Sequence, residues 1–570
     1  MTNQQIAEIL DEIADILEIQ GEIVFKIRAY RKASETVANL PKEISTLTEE
    51  ELRELPGIGE AIAKKIHTLA TTGILEYFEE LRKSEFAPLV DLLQIPSVGP
   101  KHARLLYERL GVKTVSDLEK ASREGKIRDL PGLGAKTEEN ILKGITALFR
   151  HKERIPLGRI LPKVEKIVEE LKKVKEVKSI ALAGSLRRMK ETIADGDILV
   201  SSVNPAPVMQ AFLKLPEVER VLSHGETKAS LITKDNFQVD LRVVEPEAWG
   251  AALHYFTGSK DHNVKVRTLA VRKGLSVNEY GLWKGKKRLA SKTEEEMYKA
   301  LGMQCMPPEI REDRGEIELA LKKKIPRLIQ SEDIKGDLQM HTNWSDGRDS
   351  VEEMALAAKT LGYQYIAITD HSPLVGITGG LDEKRVHKQI EEIKKVNKKL
   401  KGIRVLSGIE VDIRGDGKLD LPDSALKKLD IVVATVHSRF NLPKDQMTKR
   451  ITKALENPVV DILGHPTGRL LGKRDPYEVD LDQVLDAALG NGKVLELNGS
   501  PDRLDLPDIW IRKARDKGIK IAVSTDSHRT EHLREWMRYG VAYGRRGWLR
   551  KEDLVNTLPL QKFLELFKIK

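Results

Sequence analysis

The chain has one cysteine, Cys305, in 570 residues. That excludes internal disulfides and thiolate zinc centres, and it fits a reducing cytoplasm. Long apolar runs are also missing. No stretch approaches the ~20 residues that span a bilayer, so no membrane partner is expected. The N-terminus, "MTNQQIAEILDEIADIL", patterns as an amphipathic acidic helix and lacks the features of a signal peptide. Acids are the scarcer charge: 87 Asp and Glu face 96 Lys and Arg, a net +9 that suits a polyanionic partner. With 40% apolar and 32% charged residues the composition is that of a globular protein. Its length calls for several domains.

A pattern recurs in the first third: "LPGIGEAIAKKI" (55–66), "IPSVGPKHARLL" (95–106) and "LPGLGAKTEENI" (130–141). Each has a proline, a small residue, an apolar residue and a glycine, then an amphipathic helical stretch. The glycines allow a tight turn, and N–H groups at the following helix start suit a phosphate oxygen. The pattern resembles the helix-hairpin-helix motif, which grips DNA backbones without reading sequence. Gly57, Gly59, Gly99, Gly132 and Gly134 are its expected DNA contacts.

Residues 178–200 read "KSIALAGSLRRMKETIADGDILV". A short strand ends in the Gly184–Ser185 turn, and a second strand carries Asp195 and Asp197 two apart, on one face. Asp240 lies in another alternating strand, "NFQVDLRVV". Three carboxylates on neighbouring strands repel one another unless cations sit between them. Mg²⁺ or Mn²⁺ there would activate a 3′-hydroxyl and neutralise a triphosphate. Gly184, Ser185, Arg188 and the turn amides are placed to hold the phosphates.

Gly-Ser, a nine-residue gap and D-x-D resemble the nucleotidyltransferase superfamily, and "HYFTGSKDHNVKVRTLAVRKGLSVNEYGL" (254–282) resembles the thumb of family X DNA polymerases. The resemblance implies that Tyr255, Phe256 and Gly258 line the sugar pocket, Asn263 faces the incoming base and Arg267 contacts the template. Family members usually have glycine after the double arginine; here Met189 stands there. "AYRKASETVANLPKEI" (29–44) and the first hairpin are similar to the small lyase domain of polymerase beta. That implies a Schiff-base lysine at Lys65 and phosphate contacts at Lys26 and Tyr30; the alternative for Lys65 is a solvated helix-face charge. Two further pocket positions hold Ala61 and Phe25 in place of lysine and histidine.

From about residue 333 short apolar runs alternate with helical stretches, the rhythm of a parallel βα barrel. Polar residues close those runs: His341 with Asp346, then His371, Glu410, His437, His465, and finally Asp526 with His528. Strand C-termini share one rim, so these side chains are expected to converge there as a metal cluster. Imidazole and carboxylate donors suit Mn²⁺, Zn²⁺ or Fe²⁺. The stretch resembles the PHP (polymerase and histidinol phosphatase) domain, although Gln339 stands where that family often has histidine.

The expected fold is therefore multidomain α+β and α/β: a lyase-like helical domain (1–90), helix-hairpin-helix fingers (91–150), palm (151–245), thumb (246–316), linker (317–332) and a distorted PHP barrel (333–570). The expected function is a gap-filling repair polymerase with metal-dependent 3′–5′ exonuclease activity, and apurinic-site cleavage as an option for the same centre. Its expected partners are gapped or nicked DNA and deoxynucleoside triphosphates, and it is expected to act as a monomer. Two alternatives stay open: a small-molecule phosphoesterase with a DNA-binding tether, or a non-catalytic DNA-end scaffold.

Overall fold

The structure, a computed structural model, describes residues 3–569 apart from 39, 41–43, 45–46, 96, 153 and 375–377. Pro96 of the second hairpin, and residues 39 and 41–43 of the lyase-like stretch, lie outside the described residues. Among the described residues no helix is long and apolar enough to cross a membrane. The chain forms two compact units. One holds residues 1–153, 232–238 and 266–291; the other holds the rest.

The first unit is mainly helical and has two cores. Ile6, Leu10, Ile13 and Leu17 of the helix Asn3–Gln20 pack with Ile62, Ile66 and Phe78 in one. Leu92, Leu106, Leu118 and Ile141 anchor the other. The first helix repeats its apolar residues at three- and four-residue spacing, which buries one stripe and leaves the acids outside. The hairpins connect Glu49–Arg53 to Glu60–Thr72, and the turn of Ala87–Gln94 to Pro100–Leu110; the third follows Val115–Arg123 and leads into Ala135–Lys152. Helices beginning after Thr48 and Thr114 are closed by capping boxes, whereas those beginning after Gly59 and Gly99 have no side-chain cap. The first turn of each therefore has no side-chain acceptor, and Pro100, which opens the second, brings no N–H.

In the second unit a five-stranded sheet runs in the order Ser179–Leu182, Gly196–Ser201, Gln238–Val244, Lys228–Thr233, Val218–His224. The tip of its last hairpin, 232–238, belongs to the first unit. The central pair is parallel, with Asp197 opposite Asp240.

Seven parallel strands follow, hydrogen-bonded in chain order: Gly336–Asp337, Tyr365–Ile368, Arg404–Asp412, Ile431–Thr435, Ile462–Leu463, Val494–Asn498 and Ile521–Ser524. A bridge between Met340 and Ser527 brings the first and last together, so the barrel is nearly closed. Nearly every strand residue is buried, as a parallel sheet covered by helices requires. At the N-terminal ends of the strands the helix Leu560–Phe567 plugs the barrel, with Phe563 stacked on Tyr365 at 4.3 Å between ring centres. The opposite rim is left for polar side chains.

The connector 317–332 is packed. Ile317, Ala320, Leu328 and Ile329 are buried, and the Ile329 N–H donates to the Leu549 carbonyl (2.9 Å). Lys322, Lys323 and Lys324 lie exposed after the helix Glu316–Leu321 ends. The palm also meets the barrel directly: Glu191 accepts from the Tyr543 hydroxyl and from Arg469 Nη2 (2.9 Å), and Glu165 pairs with Arg538.

Candidate active sites

The palm centre starts from a close approach. Gly184 has φ +54°, and a Cβ on it would lie 1.9 Å from Asp197 Oδ2. Only glycine lets the Gly-Ser turn sit against that carboxylate. The register then places Asp240 beside Asp197, with Asp195 one residue before the strand. Burial, followed by the charges of Asp195 and Asp240, pushes the Asp197 carboxyl up to about 7. A carboxyl so crowded by other acids fits a divalent cation.

Arg188 is nearly buried. Its Nε donates to Glu312 Oε1 (3.0 Å) and its Nη1 to the Thr257 carbonyl. Gly258 lies against it: a Cβ there would be 3.1 Å from Arg188 Nη1. Arg187 is a clamp, bidentate to Glu294 at 2.9 and 2.6 Å. Met189 adopts φ +52°, the left-handed conformation for which glycine is suited, so the departure at this position keeps the backbone geometry of a glycine loop. Tyr255 and Phe256 form an edge-to-face pair at 5.2 Å; Phe256 packs on the core of Leu199 and Val244 and under the Arg242 guanidinium. Asn263 Nδ2 donates to the Tyr255 carbonyl (2.7 Å), and its Oδ1 has no hydrogen-bond partner among the described residues. Arg267 is half-buried on the same helix, Lys260–Arg272.

In the first unit the Lys65 ammonium donates to the Tyr30 hydroxyl and lies 3.7 Å over the Tyr77 ring. Burial, then the charge of Lys26, lowers its pKa from the ordinary lysine value. Lys26 pairs with Glu22 at 2.8 Å. Tyr77 is a member of this pocket that sequence reasoning misses. The hairpin turns share one conformation: Gly57, Ser97 and Gly132 have φ of +82°, +75° and +81°. Ser97 escapes sequence reasoning because a left-handed serine carries no sequence mark. A Cβ added at Gly59, Gly99, Gly132 or Gly134 would meet open space, so packing does not demand glycine there.

The barrel rim gathers all eight expected residues. Glu410 is the centre: Oε2 lies 3.2 Å from His341 Nε2 and 3.3 Å from His371 Nδ1, and Oε1 lies 3.3 Å from His437 Nε2 and 2.9 Å from His465 Nε2. Asp526 Oδ1 is 3.1 Å from His341 Nε2. Asp346 Oδ2 is 3.6 Å from His371 Nε2 and 3.4 Å from His528 Nε2. Burial drives His437 down to about 3 and lowers His371, which leaves neutral rings with free lone pairs. Burial would raise Glu410, but His371, His437, His341 and His465 hold it well below the usual range.

The donors fit a metal cluster. His341 Nδ1, His371 Nδ1 and His465 Nδ1 are buried without a hydrogen-bond partner among the described residues, and three sets of potential ligand atoms lie within 4.8 Å of one another. Gln339 is buried too, and neither of its amide atoms finds a partner among the described residues. Glu496 is a rim residue that sequence reasoning misses. Its Oε2 accepts from the His465 N–H (2.6 Å), its Oε1 is buried and unpaired, and burial with Asp526 raises it well above the usual carboxylate range. Asn498 Nδ2 donates to Asp526 Oδ2 (3.0 Å), and Arg503 Nε lies 3.4 Å from that oxygen. A signal for this strand does exist: "KVLELNGS" is an apolar run closed by polar residues, like the others.

Four family descriptions match this chain: a helix-hairpin-helix domain at 1–75, a SAM-like helix-hairpin-helix tandem at 89–146, the DNA polymerase beta thumb at 252–312 and the PHP domain at 337–500. A Bacillus subtilis (strain 168) protein named DNA polymerase/3'-5' exonuclease PolX is 38% identical over 565 residues, 98% of each chain. This chain belongs to that family, the family X DNA polymerases with a PHP domain. Part of the chain is also similar to proteins named probable phosphatase from Thermoanaerobacter sp. (strain X514) and Caldanaerobacter subterraneus, 36% and 34% identical over 189 residues. Those alignments cover 31% of this family X chain and 72% and 70% of the relatives.

The palm carboxyls carry a pH prediction. Asp197 ionises near 7 when folded, against 3.8 ordinarily. A raised carboxyl keeps a proton that the unfolded chain has released, so this group's contribution to stability falls as pH rises from about 4 to about 7, then levels off. Cation binding needs the ionised form. Mg²⁺ binding is therefore expected to release nearly one palm proton at about pH 6 and almost none at about pH 8, and Asp197→Asn removes the difference. Calorimetric titration in two buffers of different ionisation enthalpy reads this out. Equal release at both pH values would show that Asp197 holds no proton.

Proposed function

We propose that this family X polymerase fills short gaps in DNA at the palm and trims 3′ ends at the barrel rim. The observation that carries the reading is the crowding of Asp195, Asp197 and Asp240 behind a Gly-Ser turn, in one chain with a second, imidazole-rich centre. Mg²⁺ or Mn²⁺ would sit on the three palm acids, and a Mn²⁺ or Zn²⁺ cluster on His341, Asp346, His371, Glu410, His437, His465, Asp526 and His528. Such cations, when bound, neutralise phosphate charge and acidify a bound oxygen nucleophile.

The chain's own groups do the rest. The turn amides of Gly184 and Ser185, with Arg188, hold the triphosphate and stabilise the charge of the departing pyrophosphate. Tyr255, Phe256 and Gly258 border the sugar, Asn263 faces the base, and Arg267 contacts the template. The uncapped amides at Gly59 and Gly99, with the third hairpin, grip phosphates on either side of a gap. The alternative small-molecule phosphoesterase leaves these features without a use.

Separate ligand sets make the two activities separable. Asp195→Ala with Asp197→Ala should abolish extension of a primer across a one-nucleotide gap while trimming continues. His341→Ala with Asp526→Ala should do the reverse. Near-parental gap filling by the palm double variant would remove the assignment.

Lys26, Tyr30 and Lys65 form a pocket in which a phosphate dianion gains charge-assisted hydrogen bonds. A gap with a 5′-phosphate should bind about 10-fold more tightly than one without, and Lys65→Ala should erase most of that preference. Fluorescence anisotropy at two salt concentrations measures it; equal affinities for the two gaps would rule the pocket out.

A further inference from the structure

Arg546 lies at the end of the barrel helix His532–Arg546, and one of its two terminal nitrogens reaches the polymerase loop. It is almost fully buried. Its Nη1 donates to the Arg188 carbonyl (2.7 Å) and to Glu312 Oε1 (3.0 Å). Its Nη2 donates to Asp508 Oδ2 (2.7 Å), which also pairs with Arg314 Nη1 (3.1 Å). Glu312 Oε1 is the same oxygen that takes Arg188 Nε. One carboxylate oxygen thus stands between two guanidinium groups.

A lone Glu312 would neutralise Arg188 and compete with a triphosphate for it. With Arg546 on the same oxygen, Glu312 is already compensated, and the loop keeps a net positive charge facing the phosphates. The same guanidinium also fixes the loop, because it holds the Arg188 carbonyl directly before Met189 at φ +52°. A left-handed methionine persists only where surrounding contacts hold it.

We propose that Arg546, a residue of the PHP barrel, is a positioning residue for nucleotide addition: it offsets Glu312 so that Arg188 remains available to the incoming triphosphate. The barrel is then a working part of the polymerase, beyond its own chemistry. The inference rests on the assignment of Arg188 to the triphosphate.

The test is steady-state gap filling by the full-length protein with Mg²⁺, read as dNTP KM and kcat, with thermal unfolding and 3′ trimming measured on the same preparations. Arg546→Gln should raise the dNTP KM about 10-fold with kcat within about twofold of the parent, and trimming should be unchanged. Arg546→Lys keeps the charge and should recover most of the KM. Glu312→Gln keeps the acceptor oxygen without its charge; alone it should lower the dNTP KM, and combined with Arg546→Gln it should restore KM toward the parent. A merely structural Arg546 predicts that KM, kcat and trimming deteriorate together with the melting temperature, and that Glu312→Gln worsens the double variant; that pattern overturns the proposal. If Arg546→Gln does not fold, Glu312→Gln alone decides, and an unchanged or raised KM overturns it. Arg188→Gln separates the two claims. If it leaves KM unchanged, the triphosphate assignment has failed; if it raises KM while Arg546→Gln does not, only the present inference has failed.

Discussion

A carboxylate withdrawn from water must find positive charge or a cluster of donors, and Glu410 sets that requirement for the whole barrel. It is 2% exposed and lies at 3.3 Å or less from four imidazoles. Those imidazoles come from the ends of four different strands or the turns after them, so the demand is met only when the parallel order is correct along the sheet. The plug of Phe563 at the opposite end leaves a single polar mouth. The palm meets the constraint differently. Burial and the charges of Asp195 and Asp240 outweigh Arg188 and Lys228, and the Asp197 carboxyl is raised to about 7.

How much of this is legible in the sequence follows from where each contact lies along the chain. The rim ligands each close an apolar run, so the strand period locates them. Asp195 and Asp197 are legible because a two-residue spacing on a strand fixes the face. Glu496 is harder to read: its run ends in polar residues like the others, but the acid stands inside the run and no histidine closes it. Ser97 cannot be read, since the two glycine copies of the hairpin hide the fact that the middle copy forces a serine into the same left-handed turn. The pairing of Glu312 with Arg546 spans 234 residues. No local pattern marks a contact of that range; only the packed connector and the palm–barrel ion pairs bring it about.

Gln339 shows how one substitution redistributes donor chemistry inside a shared centre. An amide cannot be protonated or carry charge, and it donates through a weakly basic oxygen, so it binds a cation less firmly than imidazole does. His341, Glu410 and Asp526 offer ligand atoms within 4.8 Å of one another, and the Asp526 N–H donates to the Gln339 carbonyl (3.0 Å). Glu410 Oε1 faces the imidazole nitrogens of His437 and His465, whereas Oε2 faces those of His341 and His371. Oxygen-rich surroundings favour a harder ion such as Mn²⁺, and imidazole-rich ones favour Zn²⁺. Glu410 spans both sets, one oxygen toward His341 and the other toward His437 and His465. A cation held on one side would therefore alter the charge felt on the other. The Gln339 amide, buried and without a hydrogen-bond partner among the described residues, brings a weakly donating oxygen where an imidazole would bring a stronger donor.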